Sequence, residues 1–397
     1  MTAKSVSVFV SGFLGLLLPL ISLQAQARGP YRAVLDLAGG PLRFSLSLAR
    51  VGGSEICNGT KCDRIPPYDA FGDSILIEIP DYAASITARV HGDSLTGNYR
   101  NVGNRGPRVI PFRASRGTWP VENGAASLLG RWNAKWILDG RTSPRVIEFR
   151  NGQKGLEGTI ISNTGDYGLF WGRAEADSFS ISHFDGSYVY MLTGRLDGDT
   201  LRGIFHAGLR TQTHFLAVRS TGQPYLRDPL EITQADTSAF RFSFPNLDGN
   251  MVTEKEPRFQ GKVLLVDIFG TWCPTCHDAA PVLTGLWKKY HERGLEIVGL
   301  AYEVTGDPAF DVRQLRIFGE KFAVPYDLLL AGTNDTQAAA TTQPQLTGFT
   351  SFPTSIFIGR DGKVRKVHAG FYGPAMGAAH TNMVRQFEQT IEQLLAE

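Results

Sequence analysis

Two cysteines separated by two residues are the groups in this sequence with the clearest capacity for chemistry. The segment GTWCPTCHDAAP contains Cys273 and Cys276, and His277 follows at once. Two thiols at this spacing can cycle between a dithiol and a disulfide, and C-x-x-C-H is also the attachment signature of a c-type haem. The same pair could supply half of a zinc site. The residues around the motif decide among these three kinds of site.

The local sequence favours the dithiol. The preceding run KVLLVDIFG is apolar with a single acid, which is typical of a strand buried on both faces, and PTCHDAAPVLTGLWKKYHERG has helical spacing of apolar residues. We therefore expect Cys273 at the N-cap of a helix, exposed, with Pro274 at the first helical position and Cys276 shielded one turn later. A helix N-terminus stabilises a thiolate. Cys273 is predicted to attack a substrate disulfide, and Cys276 to resolve the mixed disulfide.

Haem and zinc have weaker support. Haem would need His277 as an axial ligand in a small helical domain, whereas the motif follows a predicted strand. Zinc would need two further ligands, and the other cysteines, Cys57 and Cys62, lie in a different predicted domain. We interpret His277 as facing solvent, with stabilisation of the thiolate as the alternative. The prediction is a redox-active Cys273–Cys276 disulfide with no cofactor and no metal.

Composition predicts two folded domains and no nucleic-acid partner. The chain has 397 residues, 42% of them hydrophobic and 20% charged, with a formal net charge of +2. Its one basic stretch lies among strand-like residues, which favours a solvated sheet surface over a nucleic-acid site. That stretch contains Arg100, Arg105, Arg108, Arg113 and Arg116.

The N-terminus has the pattern of a secretory signal. Lys4 precedes the apolar run VFVSGFLGLLLPLISL, and Ala25-x-Ala27 forms a small-residue cleavage site. We expect a signal peptide over residues 1–27, cleavage after Ala27 and a periplasmic protein. An uncleaved anchor is the alternative, and the membrane would then be contacted through this segment alone. In an oxidising compartment, Cys57 and Cys62 on either side of the Asn58-Gly59 turn predict a structural disulfide, with a second redox site as the alternative.

The rest of the chain predicts an all-β domain followed by an α/β domain. Residues 28–222 consist of short alternating segments broken by turn residues, the pattern of a β-sandwich or barrel. GDSLTGNYR from Gly92 matches GDTLRGIFH from Gly198, which indicates a duplicated β-meander. Residues 223–237 are polar and contain two prolines, as a linker would, and strands then alternate with helices over 238–397.

Three separated motifs in residues 238–397 carry a family resemblance. VLLVDIFGTWCPTC, SFPTSIFIGRDGKV and VHAGFYGPAMG resemble, in that order, the TlpA/ResA-like exported thiol:disulfide oxidoreductases of the thioredoxin superfamily. The resemblance implies a thioredoxin-like fold. It implies that Pro353 is a cis-proline facing the dithiol and offering backbone groups to a bound polypeptide. It also implies that Asp267 is a buried acid relaying the proton of the resolving thiol. The neighbouring active-site loop residues are Trp272, Pro274, Thr275 and Phe352.

The same resemblance implies the partners of the protein, and it leaves one alternative function open. Its members reduce or isomerise disulfides of client proteins and are kept reduced by a membrane-linked thiol electron donor. Many ResA-like members have a glutamate three residues after the second cysteine, where this chain has Ala279, so the acid's role falls on Asp267. The alternative function is a binding protein. In it, the β-rich domain captures a ligand or partner, and the thioredoxin-like part is a docking or redox-sensing appendage.

Overall fold

The computed structural model describes residues 27–103, 106–122, 126–236 and 238–397. The predicted signal peptide lies outside the described residues except for Ala27, and it stays a prediction. Within the described ranges, no helix is both long and apolar enough to cross a membrane.

Nine antiparallel strands at the N-terminus form an open, curved sheet, in which apolar side chains alternate with polar ones as one-sided burial requires. The strand order is β4-β3-β2-β1-β9-β8-β7-β6-β5. The strands are β1 (Gly29–Leu37), β2 (Gly40–Leu48), β3 (Ser54–Asn58), β4 (Lys61–Ile65), β5 (Asp69–Phe71), β6 (Ser74–Ile79), β7 (Ala84–His91), β8 (Ser94–Asn101) and β9 (Arg108–Arg116).

The next nine strands repeat this topology and close into a barrel. They are β10 (Gly130–Leu138), β11 (Arg141–Gly152), β12 (Gly155–Ser162), β13 (Gly165–Asp166), β14 (Phe170–Glu175), β15 (Ser178–Phe184), β16 (Val189–Asp197), β17 (Thr200–Ala207) and β18 (Thr211–Arg219). Their order is β11-β10-β18-β17-β16-β15-β14-β12-β13, and β11 also pairs with β12, which closes the ring.

The predicted duplication is visible in this topology. In each sheet the last strand returns beside the first, β9 beside β1 and β18 beside β10. Gly92 and Gly198 occupy equivalent turns with φ of 57° and 58°, a left-handed conformation that glycine adopts without steric cost. The all-β prediction for this domain is confirmed, with one copy open and the other closed.

The C-terminal region has the predicted α/β thioredoxin-like fold. A five-stranded sheet runs β24-β23-β22-β26-β27, with β22, β23 and β24 parallel and the last two strands antiparallel. The strands are β19 (Gln234–Ala235), β20 (Ser243–Pro245), β21 (Met251–Thr253), β22 (Val263–Phe269), β23 (Leu295–Glu303), β24 (Asp327–Thr333), β25 (Leu346–Thr347), β26 (Thr354–Ile358) and β27 (Val364–Ala369). The helices are α1 (Pro274–Tyr290), α2 (Pro308–Lys321), α3 (Thr336–Thr342) and α4 (Ala378–Ala396). Short 3-10 turns lie at Pro80–Tyr82, Ala126–Leu128, Pro229–Glu231, His291–Arg293 and Pro374–Met376.

Helices cover both faces of this sheet. Helices α1 and α4 pack on one face, where Leu283 and Phe387 meet Leu265 of β22. The opposite face is covered by α3 and the β20–β21 hairpin, through Ala339 and Val252. This two-sided burial explains the continuous apolar run of β22, and it leaves the end of that strand to deliver the motif at 270–276.

The predicted linker, residues 223–237, is partly built into the C-terminal region. Pro229–Glu231 forms a 3-10 turn, and β19 pairs antiparallel with β25, joining Gln234 to Thr347. Hydrogen bonds to the C-terminal region therefore begin within the segment that the composition marked as a connector.

The two domains meet at the tail motif VHAGFYGPAMG. The Phe371 backbone N–H donates to the Thr164 carbonyl over 3.2 Å, and Gly165 forms a β-bridge with Phe371. Gly370 has φ of 84°, and a Cβ there would lie 1.9 Å from the Thr164 oxygen. Glycine is therefore required where this motif touches the barrel.

Candidate active site

The dithiol lies where the chain passes from β22 into α1. Cys273 is the N-cap of the helix, Pro274 is its first residue, and Cys276 follows in the first turn, as the sequence predicts. Both cysteines are free thiols. The prediction that Cys273 is exposed is wrong, since the residue is 4% exposed and Cys276 is 1% exposed. The reason is long-range: the β-rich domain lies over the N-terminus of α1.

The two thiols have different electrostatic environments. Burial by itself would raise the pKa of Cys273, but hydrogen bonds from the Cys276 thiol, the Thr275 hydroxyl and their backbone N–H groups outweigh it and lower the pKa below its ordinary value. The Thr275 Oγ1 lies 3.2 Å from the Cys273 Sγ. Burial and the neighbouring Cys273 raise the pKa of Cys276 well above its ordinary value. Cys273 is thus the more readily ionised of the two thiols.

We expect Thr275→Val to raise the pKa of Cys273 by about one unit, because a hydrogen bond to a charged group contributes roughly 1.5–3 kcal/mol. The measurement is the pH dependence of iodoacetamide alkylation, mapped to Cys273 by mass spectrometry. Thr381→Val, on exposed α4 surface, is the control. An unchanged midpoint in Thr275→Val would show that the hydroxyl does not stabilise the thiolate.

Asp267 lies on the face of β22 that points towards α1, in phase with Leu265 and Phe269. It is 5% exposed, and burial raises its pKa to about 7, opposed by a hydrogen bond from the Ser355 hydroxyl at 3.2 Å. Asp267 and Cys276 line the same internal cavity of about 10 Å³. That volume is at the lower limit for one water molecule. The acid is therefore placed beside the second cysteine rather than the first.

Glu303 is a second buried acid, which the sequence analysis missed. It ends β23, and its carboxylate accepts hydrogen bonds from the Thr271 N–H at 2.9 Å and the Thr271 hydroxyl at 2.6 Å. Burial raises its pKa to about 7. These bonds hold the loop that precedes Cys273. The sequence contains a pattern that could have identified Glu303, because the apolar run LEIVGLAYE ends with this acid.

The two acids predict a pH-dependent stability. Their folded pKa values near 7 lie above the unfolded values of about 4, so between these pH values the folded state binds more protons than the unfolded state. The stabilisation is complete below about pH 4 and is lost as the pH rises to 7, on the order of 3–4 kcal/mol per group. Asp267→Asn and Glu303→Gln should each gain stability relative to wild type at pH 8 but not at pH 4, in urea unfolding. Glu320→Gln, on exposed helix surface, serves as control, and equal differences at both pH values would contradict the prediction.

The Phe352–Pro353 peptide bond is cis, as the resemblance implies. The Pro353 carbonyl accepts a hydrogen bond from the Gly370 N–H at 2.7 Å, and its pairing with a bound polypeptide stays a prediction. The Phe352 carbonyl faces the dithiol, 3.5 Å from the Cys273 Sγ. The ring of Trp272 packs edge-on to Phe352, with centroids 5.5 Å apart. Trp272 and Phe352 thus form one wall beside the Cys273 sulfur.

The interpretation of His277 as solvent-facing is wrong. Its side chain is buried, its Nε2 lies 2.7 Å from the Thr271 carbonyl oxygen, and its ring stacks on Tyr82 of the β-rich domain at 4.5 Å. Burial lowers its pKa to about 4, so the ring is neutral at pH 7. A neutral imidazole supplies no positive charge to the Cys273 thiolate, and His277 instead serves as a packing surface between the domains.

Cys273 opens into a cavity of about 520 Å³ between the domains, which we call the redox cavity. On the side of the β-rich domain its lining includes Tyr82, Tyr188 and Asp185. This part of the β-rich domain covers Cys273, and we call it the cover. Two ion pairs connect it to the C-terminal domain. Lys61 on the β3–β4 hairpin pairs with Asp278 of α1 at 3.6 Å, and Lys321 of α2 pairs with Asp81.

Cys57 and Cys62 form a disulfide across the β3–β4 hairpin, where they are directly opposite each other. The bond therefore lies in the hairpin that carries Lys61 to the redox cavity. A carboxylate oxygen of Glu55 lies close to both sulfurs, so that these three side chains have the spacing of a metal-binding group. Because the two sulfurs are bonded to each other, only the carboxylate of Glu55 would be available to a metal ion.

The arrangement defines a class of protein. A dithiol at the N-terminus of the helix after the central strand, beside a cis-proline, is the arrangement of a thioredoxin-like fold. The family model described as Redoxin matches residues 234–378.

Known relatives match about a third of the chain. The thiol-disulfide oxidoreductase ResA of Halalkalibacterium halodurans is 26% identical over 140 residues, 35% of this chain and 70% of that protein. ResA of Bacillus thuringiensis subsp. konkukian is 30% identical over 123 residues, 31% of this chain and 62% of that protein. A thiol:disulfide interchange protein of Chlorobium tepidum aligns with 41% of this chain and 97% of its own, at 23% identity and a TM-score of 0.31.

Residues 234–378 therefore form a Redoxin domain, and over about a third of its length the chain is similar to ResA thiol-disulfide oxidoreductases, which supports an oxidoreductase.

Proposed function

We propose that this protein is an exported thiol:disulfide oxidoreductase that reduces or isomerises disulfides of client proteins through Cys273 and Cys276. The observation that carries the proposal is the asymmetry of the pair, with the pKa of Cys273 lowered and that of Cys276 raised. Such an asymmetry lets one sulfur attack at neutral pH while the other waits as a thiol. The ResA relatives support the same reaction class.

The proposed cycle has two exchange steps. The Cys273 thiolate attacks one sulfur of the client disulfide, forming a mixed disulfide and releasing a client thiolate, which takes up a proton. The Cys276 thiol then passes its proton to the Asp267 carboxylate and attacks the Cys273 sulfur. The second client sulfur leaves as a thiolate, and Cys273 and Cys276 are left oxidised. Two electrons have moved to the client, and a membrane-linked thiol donor returns them by the reverse exchange in the periplasm.

The test follows both products of one turnover. Reduced protein is mixed with a short peptide containing one disulfide, and free peptide thiols are counted while mass spectrometry maps the protein disulfides. We expect one Cys273–Cys276 disulfide for each peptide disulfide reduced, with Cys57–Cys62 unchanged. If peptide thiols form without a Cys273–Cys276 disulfide, the proposed cycle is wrong.

The covered centre restricts the client. Since Cys273 is 4% exposed and faces the redox cavity, its substrate is a flexible or extended segment that can enter between the domains. Opening the cover should relax this restriction. The Lys61→Ala/Lys321→Ala variant removes both interdomain ion pairs, each contributing about 1 kcal/mol or less. At about 0.7 kcal/mol for each pair, the loss of both sums to about 1.4 kcal/mol, which corresponds to a roughly tenfold rise in opening.

We therefore expect this double variant to label Cys273 with a polymer-linked maleimide up to about tenfold faster than wild type, with a smaller change for iodoacetamide. Lys289→Ala is the matched control, because it also removes a lysine ion pair, with Glu388, on exposed surface. Equal rates for the bulky reagent in all three proteins would show that the β-rich domain does not limit access. The alternative of a binding protein with a redox appendage is not favoured, because the matched relatives are oxidoreductases.

A further inference from the structure

A second cavity lies in the mouth of the closed barrel, and we call it the barrel cavity. Its volume is about 470 Å³, within the range of small-molecule sites. Strands β10, β11, β17 and β18 contribute Trp136, Arg145, Phe205 and Thr213 to its lining. The mouth of a β-barrel is a frequent place for such sites.

Arg145 reaches this cavity from inside the barrel. It lies opposite Ala134 on the neighbouring strand and in phase with the core residues Ile147 and Phe149, so its side chain is on the inward face of β11. Its Nε donates to the Tyr167 hydroxyl at 3.2 Å, and its Nη1 donates to the Pro144 carbonyl at 2.7 Å. Neither partner is charged.

Arg108, the first residue of β9, contributes a second half-buried guanidinium. Its Nε donates to the Asn101 side-chain oxygen at 3.0 Å, and its Nη2 donates to the Ser187 carbonyl at 2.9 Å. Within the described ranges, Arg108 and Arg145 form no ion pair with a carboxylate, and the Nη1 of Arg108 and the Nη2 of Arg145 lack an acceptor. The described lining also includes Arg210 but no aspartate or glutamate. The cavity is therefore positively charged, and an anion would compensate the partial burial of these charges.

The walls are apolar and aromatic. The ring of Trp136 packs against Phe205 at 5.8 Å, and Tyr190 packs against Phe205 at 5.2 Å. Trp136 is 5% exposed, and its Nε1 has no acceptor among the described residues. An unsatisfied buried donor costs stability unless a ligand oxygen accepts from it. At the entrance three apolar side chains are unusually exposed: Val109 by 44%, Leu138 by 48% and Leu209 by 41%.

We propose that the barrel cavity binds a small aryl carboxylate, with its aromatic body against Trp136 and Phe205 and its carboxylate on Arg108 and Arg145. The guanidinium groups supply the charge-assisted hydrogen bonds, and the Trp136 N–H donates to the same oxygen-bearing end of the ligand. The apolar entrance residues cover the outer part of the ring system. This site does not depend on the redox proposal, since none of these four residues lines the redox cavity.

The test compares 2-naphthoate with its neutral isostere 2-naphthamide by titration calorimetry on the whole protein. We expect naphthoate to bind at least tenfold more tightly. Arg145→Gln should remove this preference, and Arg145→Lys should retain it in part. Arg113→Gln is the matched control, because Arg113 lies on the exposed face of the first sheet paired with Asp36.

Trp136→Phe should weaken naphthoate binding severalfold while keeping the aromatic wall. Far-ultraviolet circular dichroism of each variant distinguishes loss of binding from loss of fold. Arg145→Lys keeps the positive charge and so tests its contribution in a second variant. Equal affinities of the wild type for naphthoate and naphthamide, no binding of naphthoate at millimolar concentration, or an unchanged preference in folded Arg145→Gln would each overturn the proposal.

Discussion

Cys273→Ser is expected to abolish disulfide reduction, lowering the rate by roughly three orders of magnitude or more, because a serine hydroxyl is not ionised at neutral pH and cannot exchange with sulfur. Cys276→Ser should behave differently. Its first step survives because Cys273 keeps the helix N-terminus and the Thr275 hydroxyl, but the resolving sulfur is missing. The mixed disulfide with the client should therefore accumulate.

The measurement is non-reducing electrophoresis and mass spectrometry of both variants after reaction with the disulfide peptide. Cys276→Ser should give a covalent adduct at Cys273, and Cys273→Ser should give little or none. The double variant Cys273→Ser/Cys276→Ser controls for reaction at other sites. An adduct formed at Cys276 in Cys273→Ser, at the rate seen for Cys276→Ser, would reverse the assignment of the two roles.

Asp267→Asn is expected to slow resolution of the mixed disulfide by about 100-fold at pH 7.5, the size typical of losing a general base. The asparagine keeps the shape and can still bond to Ser355, but it cannot take a proton from Cys276. In wild type the resolution rate should rise as Asp267 ionises, with a midpoint near its pKa of about 7. The variant should lose that midpoint.

Stopped-flow resolution of a preformed Cys273 mixed disulfide across pH 5–9 is the direct measurement. Asp248→Asn, an exposed carboxylate paired with Arg316, is the matched control. If Asp267→Asn resolves at the wild-type rate with an unchanged pH profile, the acid has no part in proton transfer and only its effect on stability would remain.

The sequence patterns that predicted this structure correctly were local and strong. The apolar run before Cys273 specified β22, and helical periodicity with Pro274 specified the start of α1. The equivalent turns at Gly92 and Gly198 indicated the duplication. By contrast, β24 and α3 were not predicted, because α3 has seven residues with one buried position and little periodicity.

What could not be predicted depends on contacts between distant segments. Tyr82 lies almost two hundred residues before His277, yet it buries that ring and helps close the space over Cys273. Arg108 was assigned to a solvated surface, and the structure instead places it half-buried at the barrel cavity. No local sequence pattern shows that a surface of one domain will be covered by another. The sequence therefore predicted the dithiol at Cys273 and Cys276, but it did not predict that Cys273 is buried.

The open first sheet has a consequence for how the β-rich domain is held together. Phe184, from the second copy, packs against Phe44 at 4.7 Å and Tyr99 at 5.1 Å, and its backbone exchanges hydrogen bonds with the Asn58 side chain. The first copy thus completes its core with residues borrowed from the second. Because the two halves share one core, we expect them to unfold together rather than as separate modules. Because the Cys273 cover draws Tyr82 from one half and Tyr188 from the other, the integrity of the whole unit governs which molecules can reach the sulfur.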